Sequence, residues 1–85
     1  MKYNVYSIRD VHVGFGQLMI ENNEATAIRN FKYAINANDM LKKNAKDYDL
    51  YLIGTFSVDD GRFTPVDIPT LIICGVDVTE SWQSE

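Results

Sequence analysis

Hydrophobic positions along this chain follow two rhythms. Between Asn22 and Asn38, in NNEATAIRNFKYAINAN, they recur at helical spacing. At about 100° per residue, Ala27, Ile28, Phe31, Ala34 and Ile35 share one stripe, with Thr26, Arg29, Asn30, Tyr33 and Asn36 on the other side. This predicts one amphipathic helix with a core-facing stripe. Asn22 or Asn23 is placed to cap its first turn, and Glu24 suits the partial positive charge there. Lys42, Lys43 and Lys46 are expected to complement the negative end of this helix. A second helical turn is predicted from Asp39 to Asn44, capped by Asn38 or Asp39.

Elsewhere the rhythm is that of strands. Tyr3 to Arg9 alternates roughly, with Tyr3, Val5 and Ser7 one way and Asn4, Tyr6 and Ile8 the other. Asp10 to Gly16 reads as a loop, after which Gln17 to Ile20 resumes an extended run and completes a hairpin. Tyr48 to Val58 is the strongest strand pattern. Leu50, Leu52, Phe56 and Val58 fall on one face, Tyr51, Ile53, Thr55 and Ser57 on the other, and Gly54 marks a candidate bulge. Both faces are apolar, so the Tyr51/Ile53 face is expected to meet a partner subunit, a second element or a ligand. Asp59, Asp60 and Gly61 predict a turn with positive φ at Gly61, and Arg62 to Val66 return as a short or edge strand because of Pro65. A further turn is expected at Asp67, Ile68 and Pro69, then a short buried strand from Thr70 to Cys74.

These elements predict an α+β fold: a single domain over residues 1–75, with one main helix packed on a small, mainly antiparallel sheet of four to five strands. A right-handed crossover from the first strand into Tyr48 to Val58 follows if those strands are parallel neighbours. Residues 76–85 are acidic, with one isolated aromatic, Trp82, and are expected to form a mobile tail or to pack back through that ring. With 85 residues the core is small, and oligomerisation would add to its stability.

Composition is that of an ordinary globular protein, with 46% hydrophobic and 24% charged residues. No apolar run approaches the ~20 residues of a membrane span, and the N-terminal pattern is strand-like, so a cytoplasmic protein without membrane contact is expected. The net charge of −4 argues against nucleic-acid binding, but its distribution is uneven. Residues 1–46 carry seven bases against four acids, and residues 47–85 carry Arg62 alone against eight acids. A basic contact surface beside repelling acidic segments fits this pattern; so does a solvated surface with accidental asymmetry.

Little in the chain points to catalysis. His12 has no second histidine or cysteine at ligand spacing, and reads as a polar loop residue. Cys74 cannot form an internal disulfide and has no activating neighbour, so it reads as a buried thiol. Asp59 and Asp60 lack the further carboxylates of a calcium loop. Gly14 and Gly16 lack both the third glycine of a dinucleotide fingerprint and the lysine of a phosphate loop. No enzyme activity, cofactor or metal is expected. Aromatics in strands are the more suggestive feature, since tyrosines on an open sheet face stack bases while nearby cations meet phosphates.

Four blocks, YNVYSIRD, NNEATAIRNFKYAIN, KDYDLYLIGTFSVDDGRF and the closing apolar strand, resemble the small non-structural protein of gokushoviruses, Microviridae bacteriophages with circular single-stranded DNA genomes. The resemblance spans nearly the whole chain and is most specific at Ala27 to Phe31 and Asp47 to Gly54. It implies a role in synthesising or packaging the phage genome in the host bacterial cytoplasm. Such proteins are described as DNA-binding or as counterparts of microvirus protein C, which favours single-strand synthesis and packaging over duplex amplification. No catalytic residue comes with the resemblance.

The expectation is therefore a non-enzymatic phage protein that forms a homo-oligomer, contacts single-stranded DNA, and works with phage replication or packaging proteins. Arg9, Arg29, Lys32, Lys42, Lys43 and Lys46 are the candidate phosphate contacts, and Tyr6, Tyr33 and Tyr51 the candidate stacking platforms. The alternative is a protein-interaction adaptor or host modulator that does not bind DNA directly, using the Tyr51/Ile53 face or Trp82.

Overall fold

In a computed structural model, which describes residues 1–78, the described residues form four strands and a helical layer. The order is β1 (Lys2–Asp10), β2 (Gly14–Glu21), α1 (Glu24–Ala37), α2 (Asp39–Lys43), one 3₁₀ turn (Ala45–Asp47), β3 (Tyr48–Ser57) and β4 (Phe63–Cys74). The strands form one sheet in the order β2-β1-β3-β4, with every neighbouring pair antiparallel. This is the expected α+β architecture, with four strands. The first strand and Tyr48 to Ser57 are antiparallel, so the helical crossover joins β2 to β3 instead, passing over β1.

The helix lies where its apolar stripe places it. Ala27, Phe31 and Ile35 are fully buried and join Tyr6, Leu50, Ala45 and Val78 in the core. Asn23 is the N-cap, its side-chain oxygen accepting from the Thr26 amide at 2.8 Å. The Asn38 side chain caps α2, accepting from the Met40 and Leu41 amides. One expectation fails here. The last turn of α1 contains no basic residue; Lys42 and Lys43 sit in the last turn of α2 and complement that helix.

Both hairpins form. Gly61 has φ +74°, and its amide donates to the Ser57 carbonyl at 2.8 Å to close the β3–β4 turn. The β1–β2 connection is held by the Asp10 side chain, which accepts from the His12 amide, and by a 2.9 Å bond from the Val11 amide to the Asp47 carbonyl.

Irregular registers decide which side chains face which way. Opposite Val5 and Tyr6, β3 carries one extra residue, so that Val5 pairs with Gly54 but Tyr6 pairs with Leu52. A bulge reverses the alternation beyond it. Phe56 therefore shares a face with Tyr51, and not with Leu50 and Leu52 as strict alternation required. A second bulge in β2, at Gly16 and Gln17, brings Phe15 onto the same face as Leu18 and Ile20.

No turn separates Val66 from Thr70. Residues 63–74 form one strand, with Val66 to Pro69 opposite the single residue Ile53. Proline is tolerated there because β4 is an edge strand. The Thr70 to Cys74 segment is not buried either: Leu71 is 48% exposed and Cys74 is only partly covered. Residues 75–78 are helical, and fully buried Val78 carries the core past residue 75. The rest of the acidic tail, Trp82 included, lies outside the described residues.

Candidate nucleic-acid interface

The domain has two unlike surfaces, because one helical layer covers only one face of the sheet. The outer side of that layer is cationic. Arg29, Lys42, Lys43 and Lys46 are exposed and Lys32 is half-exposed. Among the described residues, none of these five makes an ion pair, and neither does Arg9. Tyr33 stands among them with 74% of its surface exposed. Arg29, Lys32 and Tyr33 occupy positions i, i+3 and i+4 of α1, which are neighbours on a helix surface. Together with Ala25 and Ile28 they line an open depression of about 330 Å³. A planar ring with an apolar floor and two flanking cations suits a base and its phosphates.

The other surface is the face of the sheet that, among the described residues, the helical layer leaves uncovered. Its rows follow from the registers: Phe15, Arg9, Asp49 and Cys74; Leu18, Ser7, Tyr51 and Leu71; Ile20, Val5, Gly54 and Pro65; then Tyr3, Phe56 and Phe63. The rings of Phe15 and Tyr51 meet edge to face above β1, with centroids 5.2 Å apart. Beneath them Ser7 is fully buried, its hydroxyl donating to the Gly16 carbonyl at 3.2 Å. Phe63 lies over Gly54, where a Cβ would come within 2.7 Å of its ring.

The sequence-predicted residues therefore divide. Arg29, Lys32 and Tyr33 come together on α1, with Lys42, Lys43 and Lys46 beyond its end. Arg9 and Tyr51 lie on the open sheet face, across the molecule from that group. Tyr6 joins neither. It is 1% exposed in the core beneath the helix, with its hydroxyl accepting from the Asn4 side chain at 3.1 Å, so no base can stack on it. The alternation of β1 offered Tyr6 and Tyr3 as equals; the helix covers the Tyr6 side.

Residues 3–78 match the sequence profile of a family described as Phage ORF5 protein. The chain belongs to that family. No curated protein and no solved structure matches it. The Phage ORF5 match covers both hairpins and the whole helical layer, so the cationic surface and the open sheet face both lie within the family's domain. No helix of this phage protein, among the described residues, is long and apolar enough to cross a membrane. Sequence reasoning missed Phe15, Leu18, Ile20, Phe56, Phe63 and Leu71 as parts of one surface. The glycine at Gly54 was the available signal for the bulge that unites Tyr51 with Phe56.

Proposed function

We propose that this protein is a non-enzymatic accessory factor in phage single-stranded DNA synthesis and genome packaging, acting in the host bacterial cytoplasm by binding single-stranded DNA through its helical layer. The observation that carries this reading is Tyr33, 74% exposed beside two unpaired cations of the same helix face. At this exposure the face of the ring is open to stacking by a planar ligand. Arg29 and Lys32 supply charge for the flanking phosphates, and Lys42, Lys43 and Lys46 extend the path along the same layer. The gokushovirus resemblance supports the process, since those phages must make and package a single-stranded genome.

A salt series of fluorescence anisotropy with labelled single-stranded and duplex oligonucleotides tests this. Binding should weaken with salt, and replacing Arg29 and Lys32 by alanine should reduce the log-log slope by roughly 0.7 per lost single-strand contact. Tyr33→Ala should weaken binding with little change in slope. No binding at low salt would overturn the reading.

A second reading, an adaptor that touches no DNA, is favoured by the apolar sheet face. It predicts loss of protein partners from infected cells when that face is altered, with no DNA binding by the intact chain.

A further inference from the structure

We infer that the open face of the sheet is the seat of a second copy of this chain, docked face to face about a two-fold axis. The inference does not depend on DNA binding.

Among the described residues the face is apolar and only partly covered. Phe15, Leu18, Ile20, Phe63 and Leu71 remain 49%, 61%, 52%, 48% and 48% exposed. The core is correspondingly one-sided. Among the described residues, seven of the eight buried hydrophobic residues belong to the cluster under the helix, and Val5 alone lies on the open face. Contiguous apolar rows of this kind are unusual on a monomer and mark an interaction surface.

The charge pattern selects the occupant. Arg9 and Asp49 are the only charged residues in the paired rows, and they are register partners that form no ion pair with each other. Paired rows with one base and one acid carry no net positive charge to neutralise a phosphate backbone, and Arg29 and Lys32 lie on the helical layer over the other face. The same pair is self-complementary. In a two-fold arrangement each patch meets its own copy, so that Arg9 of one chain can meet Asp49 of the other twice over.

The area is sufficient. Four strands at ~4.8 Å spacing and about eight residues of length give a flat footprint of about 500 Å² per copy before side-chain relief is counted. Two copies thus remove about 1,000 Å² or more, the threshold for a specific interface. Sheets packed in this way interdigitate their inner side chains as the two halves of a sandwich do.

Sedimentation velocity and light scattering across a concentration series test the inference. The chain should run at twice its 9.7 kDa mass. Leu18→Glu and Leu71→Glu should each weaken association at least about tenfold, with unchanged far-UV circular dichroism because both side chains are half-exposed in the single chain. Met40→Glu, at a 71% exposed position on α2, should leave the mass unchanged. Should the glutamates unfold the domain, Arg9→Asp provides the same readout, and combining it with Asp49→Arg should restore the dimer. A chain that stays at 9.7 kDa at every concentration would overturn the inference, as would a dimer that survives both leucine substitutions.

Discussion

The ring of Phe15 stands edge-on to that of Tyr51, centroids 5.2 Å apart and planes at 76°, although β1 runs between the strands that carry them. Both side chains lean inward across β1, and between them they close over Ser7. An edge-to-face pair contributes about 0.5–1.5 kcal/mol beyond its buried area. A double-mutant cycle of Phe15→Ala and Tyr51→Ala, measured by urea unfolding, should return a coupling energy in that range. Additive losses would mean that the rings act independently.

Gly54 is required by its neighbours. A Cβ there would lie 2.5 Å from the Thr64 carbonyl oxygen and 2.7 Å from the Phe63 ring. Gly54→Ala should therefore destabilise the domain by about 1–3 kcal/mol, the usual cost of overpacking. Combining it with Phe63→Ala should not restore wild-type stability, because the backbone oxygen remains in the way. Urea midpoints of the three variants decide this.

Helix α1 starts at a single side-chain cap. Asn23→Ala removes the acceptor for the Thr26 amide and should cost about 1 kcal/mol. Asn23→Asp keeps an acceptor at the same place and adds a charge suited to that end, so its thermal midpoint should stay near wild type.

Cys74 gives the domain a pH dependence on the alkaline side. Burial pushes its thiol above the ordinary value, and the Asp49 and Asp77 carboxylates push in the same direction. The folded state thus holds the proton more tightly than the unfolded state. Its contribution is fully present below the unfolded thiol pKa, about 8.5, and is lost as pH rises through the folded value. Stability measured from pH 7 to 10 should fall along this limb, and Cys74→Ala should flatten it. Reaction with a thiol reagent at pH 8 should also be slower for the folded chain than for the unfolded one.

The helix was legible because three of its stripe residues, Ala27, Phe31 and Ile35, are the ones that the sheet covers completely. The turn at Gly61 was equally legible, since local chemistry decides it. Phe56 was misplaced because a single extra residue in β3 inverts a period of two, and composition does not reveal where such a residue sits. Pro65 and Pro69 read as strand breaks, yet an edge strand accommodates both. The candidate site was legible as residue types and not as a place. Nothing local to Tyr6 tells that the helix lies over it, whereas Tyr33 could be assigned to the outside from the helical period alone.

The extra residue in β3 also bears on how the chain tolerates changes in length. Removing the one codon for Ile53 would leave every later residue chemically intact yet bring the strand back into strict alternation. Leu52 and Gly54 would then be neighbours on opposite faces, so Phe56 would stay with Tyr51 on the open face and Thr55 on the helix side. Deleting Ile53 removes the bulge and keeps both faces as they are, whereas one residue added elsewhere in β3 turns the strand beyond it inside out.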